Sequence, residues 1–199
     1  MNNTKCSFAK TCWYILIIIL GFYFVSLLYP DIVITYHHSL NFLDCLFSGN
    51  LIGFYDYSVQ NQYGGWPANY SLPMYIVFGI WCLPIWLLGK LSIISVESVW
   101  CLLFIKGLVL FCCIGCVFLL KKILINIDCK DIKLSLFQFS SSLLFIIPAL
   151  AIVQYDVISL MFTLLAIYLY IKEERFSFKF FFIFSVAVAL KLFAIFPFI

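Results

Sequence analysis

Five stretches of this chain approach the length of a bilayer crossing while carrying very little charge: residues 12–29, 99–120, 134–153, 157–171 with its flanks, and 178–199. A helix needs roughly 20 mainly apolar residues to cross the hydrocarbon core. A sixth stretch, 73–89, is shorter and interrupted by Pro84. Of the 199 residues, 65% are hydrophobic and 11% are charged. A soluble domain of this size would have to expose much of that apolar surface to water. The composition therefore predicts an all-α, polytopic membrane bundle, read as a single membrane domain over residues 1–199. It has about five spanning helices, and the first run lacks a small-residue cleavage site and reads as a retained helix.

The Lys/Arg distribution sets the expected orientation. Lys5 and Lys10 precede the first run, Lys121, Lys122, Lys130 and Lys133 follow the second, and Lys172, Arg175 and Lys179 follow the fourth. Residues 30–72 hold no Lys or Arg. Placing the three basic clusters and the amino terminus in the cytoplasm makes residues 30–98 an external loop with juxtamembrane or re-entrant segments. Parity then excludes a crossing at 73–89, because one would move Lys121 and its neighbours outside. Trp81 and Trp86 suit that segment to the headgroup level. A bacterial inner membrane is the compositional default for such a Phe- and Ile-rich chain. The net charge of +3 is too small and scattered for a nucleic-acid partner. The last run ends without a polar tail, which reads as the front of a longer protein.

A charge near the bilayer interior costs roughly 3 kcal/mol on insertion scales, so each one asks for a reason. Asp31 follows Tyr29-Pro30 at the external mouth of the first run, where it is either a solvated helix end or a functional acid. Asp156 lies in the short turn Gln154-Tyr155-Asp156, where an N-cap for the next helix is the simpler role. Lys191 stands among Ala189, Leu190, Leu192 and Phe193 in an outward-going run, and a carboxylate or phosphate partner explains it better than snorkelling does. Lys106, inside 99–120, fits snorkelling and a phosphate contact equally.

The external stretch 31–70 mixes Tyr and Phe with Thr35, His37, His38, Asn41, Asp44, Asp56, Gln60 and Gln62. Such a mixture suits sugar binding, and equally an ordinary amphipathic interface. Adjacent His37 and His38 cannot share one metal from a helix, no third ligand is evident, and no metal is indicated. The nine Cys form no disulfide framework, and Cys112-Cys113-x-x-Cys116 reads as small, soft packing within a span. Asn69-Tyr70-Ser71 matches the glycosylation sequon, a weak signal.

Tyr29-Pro30-Asp31, the stretch 35–57, the Pro-led and Trp-rich 73–90, Pro148 to Asp156, and Leu190 to Pro197 occur in an order that resembles the amino-terminal module of the polytopic GT-C glycosyltransferases. That group includes protein O-mannosyltransferases and lipid A aminoarabinose transferases. The resemblance rests on order and topology, and covers nearly the whole chain. It implies transfer of a sugar from a polyprenyl-phosphate donor to a glycan, lipid or protein acceptor on the external side, with membrane lipid as surroundings and no cofactor. By the same resemblance, Asp31 is the acid that acts as base or orients the acceptor, and Asp156 supports it. Lys191 grips the lipid-linked phosphate with help from Lys106, and Gln154 and Tyr155 line the cavity. Two other readings stay open: a transporter or flippase component, and a structural subunit or inactive fragment.

Overall fold

The computed structural model describes residues 30–142 and 155–198, together with Gly21 and Phe145. The first apolar run, most of 142–153 and Gln154 lie outside the described residues. Within them the chain is all-helical: α1 (Pro30–Phe47), α2 (Phe54–Gln60), α3 (Leu72–Lys90), α4 (Val99–Asn126), α5 (Ile132–Ser141), α6 (Asp156–Glu173), α7 (Phe178–Leu190) and a closing 3-10 helix (Leu192–Phe198).

Local chemistry accounts for the starts. Pro30 opens α1, where a missing N–H costs nothing, and Asp31 places a negative charge on the positive end of the helix dipole. Pro73 does the same for α3. The Ser98 hydroxyl accepts from the Trp100 N–H at the head of α4, and that of Ser177 from the Phe180 N–H at the head of α7.

Close packing uses small residues at the contacts. A Cβ at Gly115 would lie 2.7 Å from the Met161 sulfur, and one at Gly79 would lie 2.8 Å from the Phe42 ring. The buried Ser159 hydroxyl donates to the Ala187 carbonyl at 2.9 Å, pinning α6 to α7. The Cys112, Cys113 and Cys116 thiols are free and buried.

α4, with 28 residues, is about 42 Å long and serves two neighbours in turn. Its first half meets α3: Trp81 donates its indole N–H to the Phe104 carbonyl at 2.8 Å and packs on Phe104 and Phe111. Its second half meets α6, with Cys116 at Val157 and Lys122 over the Tyr168 ring. α6 therefore runs parallel to α4, and α7 returns antiparallel, since Ser159 meets Ala187 while Tyr170 meets Phe180. Lys122 and Lys172 both lie over Tyr168, so two of the basic clusters share one end of the bundle.

Two described helices, α3 and α4, are long and apolar enough to cross a membrane. α4 contains the expected span 99–120. α3 contains the segment expected to stay at the interface or re-enter, and it is one unbroken helix through Pro84. The expected run 157–171 is the 18-residue α6. The expected run 178–199 is not a single helix. α7 stops after 13 residues, about 20 Å and short of a bilayer core. Lys191 is then extended (φ −159°, ψ 131°) before the 3-10 turn, so it ends a helix rather than interrupting one.

Candidate functional site

Four separate chain segments converge where α6 begins and α7 ends. Asp31 comes from the first turn of α1, Tyr70 from the residues leading into α3, Tyr155 and Asp156 from the start of α6, and Lys191 from the end of α7. Of the residues expected to carry function, the structure brings Asp31, Tyr155, Asp156 and Lys191 to this place. Gln154 lies outside the described residues.

The Tyr70 hydroxyl donates to Asp31 Oδ2 at 2.7 Å. Tyr70 is itself held: Tyr55 donates to its carbonyl at 2.8 Å, and its ring stands edge-on to Tyr155 (5.6 Å between centroids, 89°) and to Phe78. Burial, reinforced by the hydrogen bond to Asp31 and the nearby charges of Asp31 and Asp156, pushes the Tyr70 hydroxyl well above its usual pKa. It therefore stays protonated and remains a donor. Among the described residues nothing else donates to Asp31, which leaves Oδ1 available. Tyr70 is the functional candidate that sequence reasoning missed. Its only signal was a weak sequon in an aromatic-rich stretch.

The Lys191 ammonium donates to Asp156 Oδ1. Both side chains are close to half exposed (47% and 43%), so the pair faces outward at the bundle end. The N-cap role expected for Asp156 is not what it does: Tyr155 holds the cap position, no side chain caps the helix, and the Asp156 carboxylate turns to Lys191 instead. Ser71 ties this end together by donating to the Ala189 carbonyl at 3.1 Å.

Tyr155 is buried against Phe78, ring centroids 4.5 Å apart. Its hydroxyl and that of Thr35, one helical turn beyond Asp31, are buried beside each other.

Lys106 is fully enclosed in α4, so it does not snorkel to a surface. It stands ten residues before Cys116, the α4 residue that meets Val157. That is about 15 Å along the helix from the level of Asp156. His37 and His38 part company as expected of neighbours on a helix. His37 stacks on Tyr63 (3.6 Å, 14°) and approaches Glu97, whereas His38 Nε2 bonds the Trp66 carbonyl at 2.9 Å. Among the described residues no three His, Cys, Asp or Glu side chains converge as metal ligands would.

Chemically, the site offers a carboxylate oriented by a phenol, with one oxygen free to take a proton, beside a second carboxylate and an outward-facing ammonium. The chain matches no family model, and no curated protein or solved structure is significantly similar to it.

Proposed function

We propose that this chain is a membrane glycosyltransferase module that moves a sugar from a polyprenyl-phosphate donor to an acceptor hydroxyl on the extracytoplasmic side. The observation that carries the reading is the meeting of Asp31, Tyr70, Asp156 and Lys191 at one end of the α6–α7 pair, opposite the basic end. In this reaction the acceptor oxygen attacks the anomeric carbon, the bond from that carbon to the phosphate oxygen breaks, and the phosphate leaves with the electron pair. Asp31 Oδ1 takes the acceptor proton, while the Tyr70 bond to Oδ2 keeps the carboxylate aimed. Lys191 turns from Asp156 to the leaving phosphate and stabilises its growing negative charge.

The membrane placement follows from the same ends. Lys122 and Lys172 face the cytoplasm, and the Asp156–Lys191 end faces out, where a lipid-linked phosphate lies at the headgroup level. α3 packs on the first half of α4 rather than beside α6. This favours residues 30–98 lying outside the layer that α6 and α7 occupy, although α3 alone is apolar enough to span.

The test is transfer of label from a radiolabelled polyprenyl-phosphate sugar by membranes carrying the protein. Asp31→Asn is expected to lower transfer by about 100-fold or more with abundance and insertion unchanged. Normal transfer by that variant would refute the assignment. For the placement, a cysteine replacing the exposed Asn69 should react with an impermeant thiol reagent from outside, and one replacing Lys172 should not. The reverse pattern would overturn it.

A further inference from the structure

A second polar feature lies at the other end of α1, around Asp44. The carboxyl ends of α1 and α3 converge there. Asp44 Oδ1 accepts from the Trp86 indole N–H at 2.8 Å and from the Lys90 ammonium at 2.7 Å. Lys90 also lies over the Trp86 ring, 5.6 Å from its centroid. In front of this knot is a hollow of about 420 Å³ lined by Asp44, Cys45, Ser48, Asn50, Tyr57 and Lys90. That volume falls in the range of small-molecule sites. The neighbouring hollow along the same two helices is lined by Phe42, Leu43, Ile76, Ile80 and other apolar residues, so the polarity here is local.

The groups facing the hollow are unspent. Asp44 Oδ2, the Asn50 amide and the Tyr57 hydroxyl make no hydrogen bond among the described residues, and the Ser48 hydroxyl uses only its proton, toward the Cys45 carbonyl at 3.1 Å. The charges cancel: an anion entering would meet Asp44, and a cation would meet Lys90. A neutral ligand with several hydroxyls meets donors and acceptors on every side. Phe47, which lines the neighbouring apolar hollow, is 59% exposed and stacked on Trp86 of the knot (4.7 Å, 15°), an aromatic surface of the kind on which the C–H face of a sugar ring rests.

We infer that this hollow is a saccharide seat, holding a neutral sugar unit of the acceptor. The word acceptor rests on the proposed transferase reading; the seat rests on the hollow alone. Asp44 is 13 residues beyond Asp31 on one helix, about 20 Å along its axis. A single sugar cannot fill the seat and reach Asp31 at once, so the acceptor class is a glycan of several units rather than a lone monosaccharide.

The experiment uses the full chain in a detergent that carries no sugar headgroup. It is titrated separately with D-glucose, D-galactose, D-mannose and N-acetyl-D-glucosamine, and read by saturation-transfer NMR and tryptophan fluorescence. At least one sugar is expected to bind saturably. Tyr57→Phe and Asn50→Ala, which leave the Asp44 knot intact, should each weaken that binding by about tenfold, the loss of one good hydrogen bond. Lys122→Met, at the basic end of the α6–α7 pair, should leave it unchanged. Failure of all four sugars to bind saturably, or binding that survives the Asn50→Ala/Tyr57→Phe double variant, overturns the seat. Because no transfer is measured, an inactive transferase assay would remove the acceptor label without touching this result.

Discussion

The two ends of the α6–α7 pair use charge in opposite ways. At the Asp156 end, side chains from four segments form two defined pairs, Tyr70 with Asp31 and Lys191 with Asp156. At the other end Lys122 and Lys172 rest over the Tyr168 ring, and Lys179 reaches Glu173 at 3.7 Å with its side chain 74% exposed. Contacts of the second kind are loose and well solvated, and such surface pairs contribute little. Cations spread over a rim do what an electrostatic anchor requires, and their individual geometry is unimportant. Side chains drawn together across long sequence separations have a geometry that matters. Of the two ends, the Asp156 end is where hydrogen bonds join side chains that lie far apart in the sequence.

The widest expected separation between the two ends comes from removing one lysine at each. Lys191→Met should cut sugar transfer by about 100-fold, the scale on which a single charge-stabilising donor acts. Lys122→Met should leave it within about twofold, since nothing there depends on one cation. Equal losses from the two variants, measured with the same labelled donor, would erase the distinction. A finer cut runs through two neighbouring tyrosines, Tyr70 half-buried and Tyr75 fully buried. The Tyr70 hydroxyl donates to the Asp31 carboxylate, whereas the Tyr75 hydroxyl lies against the backbone of Asn69 and Tyr70 with no charged partner. Tyr70→Phe should cost about 1–2 kcal/mol of stability by denaturant unfolding and lower transfer about tenfold. Tyr75→Phe should cost less than Tyr70→Phe and leave transfer within about twofold, because its hydroxyl meets no charged partner. A matching cost for both would mean that the rings, not the hydrogen bond, hold this end together.

Much of this architecture is legible without coordinates, because the apolar runs and the rare charges are strong signals. The helical class, the bounds of α6, and the expectation that Lys191 needs an acidic partner all follow from them. The rest depends on contacts that no local pattern encodes. Ala189, Leu190, Lys191 and Leu192 are all acceptable helix formers, so nothing local ends α7 at Leu190. Pro197 lies too far along to break the helix there, and the Asp156–Lys191 pair coincides with the break instead. Tyr70 is one of 12 tyrosines, and only the 39-residue reach to Asp31 marks it out. The 73–89 segment illustrates a different gap: its apolarity is compatible with a span or an interface helix, and only its partners separate the two.

The smallest effect concerns the loop that leads toward the site. His37 stacks on Tyr63 beside Glu97, and the fully buried His38 bonds the Trp66 carbonyl, so two adjacent histidines of α1 hold residues 63–66 in place. Burial lowers the pKa of both from the usual 6.5, opposed at His37 by Glu97 and at His38 by the Trp66 bond. The folded state thus prefers neutral histidines, and the unfolded chain binds more protons as the pH falls past 6.5. Stability from this contact is complete above that pH and is lost progressively below it. Hydrogen exchange at residues 63–66 should accelerate between pH 7.5 and 5.5, after correction for the intrinsic pH dependence, while exchange in the middle of α4 stays level. His38→Gln, which keeps a donor for the Trp66 carbonyl but does not titrate, should flatten the response. An unchanged response in that variant would assign the pH dependence to His37 and Glu97 alone.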